Sequence, residues 1–78
     1  MSKYNGYKNW NHWNVSLWLN NDEYLYSIML NMARCYKFSG RDAQARHTLE
    51  RLKDEGITHT PDGAPYSVSS IRSAMVGI

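Results

Sequence analysis

Apolar side chains recur at helical spacing along four stretches of this chain. In the first, Trp10, Trp13 and Leu17 fall at i, i+3 and i+7, and Trp18 widens the same face. Asn9 is the candidate N-cap. Asn20-Asn21 is expected to break the helix, because asparagine side chains compete for backbone hydrogen bonds. The predicted helix is 10–19, preceded by an arm over 1–9 that holds Ser2, Asn5 and Gly6. In the second stretch Leu25, Ile28, Met29, Met32, Cys35 and Tyr36 recur every three or four positions, which predicts a helix over 22–38. Asp22 and Glu23 suit the positive end of its dipole, and Arg34 and Lys37 the negative end. Ser39-Gly40 should stop it, with Gly40 as the left-handed terminal residue.

The third stretch, 41–55, is thinly apolar. Leu49, Leu52 and one of the alanines form its inward stripe. Arg41, Arg46, Arg51 and Lys53, with Asp42, Glu50, Asp54 and Glu55, leave it a solvated face free to meet a partner. Gly56 closes it. Pro61-Asp62-Gly63 is a turn signal, with proline supplying the fixed φ and glycine the permissive position. Ser67 then caps a last predicted helix over 68–76, with Val68, Ile71, Ala74 and Met75 inward. No β alternation and no internal repeat is present. The expected fold is all-α: one compact domain over 1–78, built from three to four short helices. The aromatic first helix should pack across the second, and the C-terminal segment should close the core.

Asn14 stands out in this pattern. It lies beside Trp10, Leu17 and Trp18, and asparagine is a poor helix former. An asparagine drawn inward needs hydrogen-bond partners. It is expected to tie the first helix either to the arm around Tyr4-Asn5-Gly6 or to the turn Thr60-Pro61-Asp62-Gly63.

Composition narrows the function. In 78 residues there is room for one small core. The net charge of +2, from nine basic and seven acidic residues, is too mild for a strong claim on nucleic acid, so direct nucleic-acid contact would be weak. It also argues against a mimic of duplex DNA. No apolar run approaches the ~18 residues of a membrane span, and the N-terminus lacks the apolar core of a signal peptide, so no membrane partner is expected. The single Cys35 excludes an internal disulfide, and its place on the apolar face reads as a small buried hydrophobe. The missing staple suits a reducing, cytosolic compartment or an oligomer.

Candidate chemistry is sparse. His12, His47 and His59 show no i, i+4 pairing, and they read as solvated or singly hydrogen-bonded imidazoles without a metal. Asp22 and Glu23 are adjacent and do not face each other as a carboxylate pair would. Asp54 and Glu55 sit at the wrong end of a helix dipole and should face a partner or a basic side chain. No catalytic, cofactor-binding or metal-binding set emerges, so no enzyme and no cofactor is expected. The six tyrosines are the richest material, since tyrosine gives large contact area at low entropy cost. The candidate partner-binding residues are Tyr4, Tyr7, Lys8, Tyr24, Tyr26, Arg46 and Arg51.

The segment Asn5-Gly6-Tyr7-Lys8-Asn9-Trp10, followed by Trp13-Asn14-Val15, Leu17-Trp18-Leu19 and Asn20-Asn21-Asp22-Glu23, resembles a group of small proteins encoded by bacteriophages and other mobile elements. Thr60-Pro61-Asp62-Gly63 is similar to a second short signature of that group. The resemblance covers residues 4–26 and, more loosely, 58–76. It implies a protein that binds a host protein or nucleoprotein complex, such as a restriction enzyme, a CRISPR effector or RNA polymerase, and blocks it. Two other classes stand beside that expectation: a small nucleic-acid-binding regulator, and an oligomerisation or structural module. The resemblance leaves the oligomeric state open.

Overall fold

A computed structural model describes residues 6–78, so Tyr4 and the start of the arm lie outside the described residues. Its helices are α1 (Trp10–Asn21), α2 (Glu23–Cys35), α3 (Arg41–Asp54) and α4 (Val68–Ala74). The all-α expectation holds. Asn9 caps α1 as predicted, its side chain accepting from the His12 backbone N–H at 3.0 Å.

The helix break does not fall where asparagine competition places it. Asn20 and Asn21 stay helical, because each amide group donates back to the carbonyl four residues earlier, Ser16 and Leu17 respectively. Asp22 alone makes the corner. Its backbone N–H donates to the Trp18 carbonyl at 3.0 Å, ending α1. Its carboxylate accepts from the Leu25 N–H at 3.0 Å, starting α2. One residue thus serves as C-cap and N-cap.

The inward face of α1 also differs from the one the tryptophans suggest. Val15 and Leu19 are wholly buried, and His12, Asn14 and Ser16 are buried with them. Trp10 and Trp18 pack against the edge of the core, Trp13 is half-buried and Leu17 is exposed. Apolar groups surround α1 on nearly every side, so periodicity does not select a face. The choice is made by α4, which brings Ser69, Ser70 and Ser73 and can receive polar groups. α1 packs against α2 as expected, but the most extensive helix packing is α1 against α4, followed by α2 against α3. The expectation that the C-terminal segment closes the core is met: Ile71, Ala74 and Met75 are buried in it.

In α2, Leu25, Ile28, Met29 and Ala33 are buried. Ala33 continues the Leu25–Met29 row at i+4, which turns Cys35 to solvent, so the cysteine is exposed and not a core residue. Tyr36 is already the C-cap, and α2 stops short of the predicted 38. Gly40 has a positive φ, as expected, but it serves as the N-cap of α3 and leaves that start without a side-chain cap. The inward face of α3 is made of small and polar groups: Ala43, Gln44, Ala45 and Thr48, with Leu52. The Thr48 hydroxyl and the Gln44 amide donate to the carbonyls of Gln44 (2.8 Å) and Tyr36 (3.0 Å), so both are satisfied under cover. Leu49 is only half-buried.

Between α3 and α4 the chain folds back on itself, with His59 bridged to Pro65 and the Thr60 N–H donating to the Ala64 carbonyl at 2.8 Å. The tight turn closes through Gly63 N–H to the Thr60 carbonyl at 2.9 Å, and Gly63 takes a φ of +98° that other residues avoid. Asn14 finds its partners here. Its amide donates to Asp62 at 2.9 Å, and its carbonyl accepts from the Thr60 hydroxyl at 2.6 Å. Trp18 Nε1 donates to the same Asp62 oxygen at 2.9 Å. The tie of Asn14 to the turn is thus made; Tyr4 and Asn5 of the other expected tie lie outside the described residues. Ser67 and Ser70 then form a reciprocal capping box at the start of α4.

Candidate partner-binding surface

The predicted contact residues do not form one patch. Tyr24, in the first turn of α2, and Arg51, near the end of α3, are joined through Glu55. The Tyr24 hydroxyl donates to one Glu55 oxygen, and Arg51 Nε donates to the other at 2.5 Å. The hydrogen bond from Tyr24, then that from Arg51, holds the Glu55 carboxyl below the usual carboxylate range. The same bond raises the Tyr24 hydroxyl above its ordinary value. Glu55 thus faces a basic side chain, as its poor position on the dipole suggested. Tyr24 remains 52% exposed, and Tyr26 is exposed on the same helix.

Arg46 belongs elsewhere. It lies 3.6 Å from Asp42, which also accepts from Arg72 of α4 at 3.0 Å. This chain of charges links the start of α3 to α4. Tyr7 and Lys8 form a third location, where with Gly6, Ser73 and Val76 they line a groove of about 340 Å³. The Tyr7 hydroxyl accepts from Ser16 at 2.9 Å, so this ring is partly a strut for α1.

Sequence reasoning missed the most exposed apolar groups. Phe38 is 93% exposed and Val76 84% exposed. Phe38 stands in the turn after α2, with the Lys37 ammonium 5.2 Å from its ring centroid. The local signal was present: Lys37-Phe38-Ser39-Gly40 places an aromatic one residue before a Ser-Gly stop, beyond the reach of the helix's inward row.

Of the three histidines, His59 is exposed and singly hydrogen-bonded as expected, and His12 departs from that reading. His12 is buried, and both ring nitrogens are engaged: Nε2 with the Ser69 hydroxyl at 3.0 Å and Nδ1 with the Ser73 hydroxyl at 2.7 Å. A neutral imidazole matches that pair, donating at one nitrogen and accepting at the other. Burial, and then the charge of Lys8, lowers its pKa from the ordinary value. It is therefore a doubly bonded link between α1 and α4, neither solvated nor singly bonded. His47 stacks on Tyr36 with centroids 3.8 Å apart and planes within 4°, and it approaches Glu50 at 3.4 Å. His59 Nδ1 hydrogen-bonds with the Thr58 hydroxyl at 2.9 Å. Among the described residues no group of His, Cys, Asp and Glu side chains is arranged to hold a metal ion, and no helix is long and apolar enough to cross a membrane.

No curated protein and no solved structure matches this chain. A family model does match, over residues 1–77, and with that coverage the chain belongs to DUF7249, a family of unknown function.

Proposed function

We propose that this is a small accessory protein of a bacteriophage or other mobile element that binds and inhibits a host nucleic-acid-processing complex by steric occlusion. On this reading it is a counter-defence inhibitor of the anti-CRISPR or anti-restriction kind, and it acts without catalysis in the cytoplasm of the host cell. The observation that carries the binding role is the Tyr24–Glu55–Arg51 network. Tyrosine and arginine are the residue types that dominate interface hot spots. Here the tyrosine is exposed and the arginine half-buried, and both are held in place by the carboxylate of Glu55, the C-cap of α3. Groups ordered before binding lose less entropy on binding. The mobile-element context comes from the resemblance of the Asn5–Glu23 segment and the Thr60–Gly63 turn.

The test is affinity capture of the tagged protein from a nuclease-treated bacterial lysate, followed by assay of the captured complex. The expected result is a nucleic-acid-processing complex whose activity falls when the protein is added. Tyr24→Ala should abolish capture while circular dichroism shows the helices intact. Capture that depends on nucleic acid would overturn the reading in favour of a nucleic-acid-binding regulator.

A further inference from the structure

At the corner where α2 turns into α3, a groove of about 460 Å³ is lined by Leu30, Ala33, Arg34, Lys37, Arg41 and Ile78, among others. Its floor is aliphatic and its rim is cationic. No carboxylate side chain lines it. Asp42, one residue past Arg41, is engaged by Arg46 and Arg72. Arg34 and Lys37 make no ion pair with any described residue. Arg41 is held from both sides: it donates to Gln44 at 2.7 Å and to the Ile78 carbonyl at 2.6 Å, which keeps Ile78 on the floor. A guanidinium with two donors so committed keeps others for an incoming oxygen.

We propose that this groove binds an acidic peptide segment, with carboxylates on the Arg34–Lys37–Arg41 rim and one aliphatic side chain on the Leu30–Ala33–Ile78 floor. Charge complementarity selects the acidic partner. The floor selects a peptide over a nucleic acid. A nucleotide strand gains affinity by stacking bases on aromatic rings. No aromatic ring lines the groove; of the two that flank Lys37 in sequence, Tyr36 stacks on His47 and Phe38 offers its face to Lys37. The inference deepens the occlusion reading, and rests on it only for the source of the segment: an acidic surface element of the blocked complex.

The experiment uses the full chain and three labelled probes. One is a peptide of glutamates around a single leucine. The second is the same peptide with every glutamate replaced by glutamine. The third is single-stranded oligothymidylate. Anisotropy should show binding of the first peptide, weakening as salt rises. Nitrogen–proton correlation spectra should place the shifted amides at Arg34, Lys37, Arg41 and Ile78. The double variant Arg34→Glu/Lys37→Glu should weaken binding by about tenfold or more, and Arg34→Gln/Lys37→Gln by an intermediate factor. Equal binding of the glutamine peptide, tighter binding of oligothymidylate, or indifference to both double variants would each overturn the proposal. The two readings separate in the capture assay. If Arg34→Glu/Lys37→Glu still captures the host complex, the groove proposal falls and occlusion stands. If neither protein captures a complex while the acidic peptide binds the groove, occlusion falls and the groove stands.

Discussion

Asn14 shows how a single residue can announce its contacts. An amide inside an aromatic helix must be satisfied or it costs stability, and the chain offers few places to satisfy it. That argument leaves two places in the sequence, the arm around Tyr4-Asn5-Gly6 and the Thr60–Gly63 turn, and the turn is where both ends of the amide bind. His12 was not legible by the same logic. Its partners, Ser69 and Ser73, carry no marking in the sequence, and serine next to a helix cap reads as solvent-facing. Cys35 shares the three-and-four spacing from Leu25 to Tyr36 but faces solvent, because the buried row passes from Met29 to Ala33 and the helix ends at Cys35. Asn14→Ala is expected to cost about 1–3 kcal/mol, since it leaves the buried Thr60 hydroxyl without its acceptor. Chemical denaturation should show a lower midpoint with an unchanged slope. An unchanged midpoint would mean that water replaces the amide at no cost.

At the scale of elements, the helices, the N-caps Asn9 and Ser67 and the closing role of the C-terminal segment were legible, and the ends of α1 and α2 and the inward face of α1 were not. Asn9, Asp22, Ser67 and the glycines act through local backbone chemistry, which a sequence displays. Which face of α1 turns inward depends on α4, far along the chain, and on polar matches that a count of apolar residues ignores. The His12–serine contacts make that α1–α4 interface sensitive to pH. Burial lowers the His12 pKa in the folded state below its unfolded value of 6.5. The unfolded chain therefore binds the proton more readily, and stability rises with pH across the interval between the folded and unfolded values. The contribution is fully present above about 6.5 and is lost as pH falls through that value toward the folded one. Protonation also turns the accepting nitrogen into a donor, so one serine hydroxyl must rotate to accept where it had donated. The melting temperature should drop as pH is lowered from neutrality through this window, and His12→Asn should remove most of that dependence. A wild-type melting temperature that stays flat across the window would show that the imidazole is not held neutral.

At the scale of the whole molecule, one core serves every helix. Val15 and Leu19 of α1, Leu25, Ile28 and Met29 of α2, Ala45 and Leu52 of α3, and Ile71 and Ala74 of α4 belong to a single buried cluster, with Tyr66 of the connecting loop. The Tyr66 hydroxyl is buried in it without a hydrogen-bond partner among the described residues, and burial, then the charge of Asp22, pushes its pKa up to about 12. A globule with a Cα radius of gyration of 11.6 Å has no second layer to fall back on. At about 0.05–0.15 kcal/mol per residue, a chain this short holds only about 4–12 kcal/mol of stability. Ile71→Ala removes a fully buried side chain at the point where α4 closes over α1 and α3, and should cost about 2–5 kcal/mol. Because no helix has a core of its own, that loss should appear everywhere at once. Tryptophan fluorescence reports α1, which holds Trp10, Trp13 and Trp18, and far-ultraviolet circular dichroism reports the helices together. In Ile71→Ala the two signals should melt together at a reduced temperature. Separate transitions would show α1 holding its tryptophans in place after α4 has come away, and would divide the core that the structure presents as one.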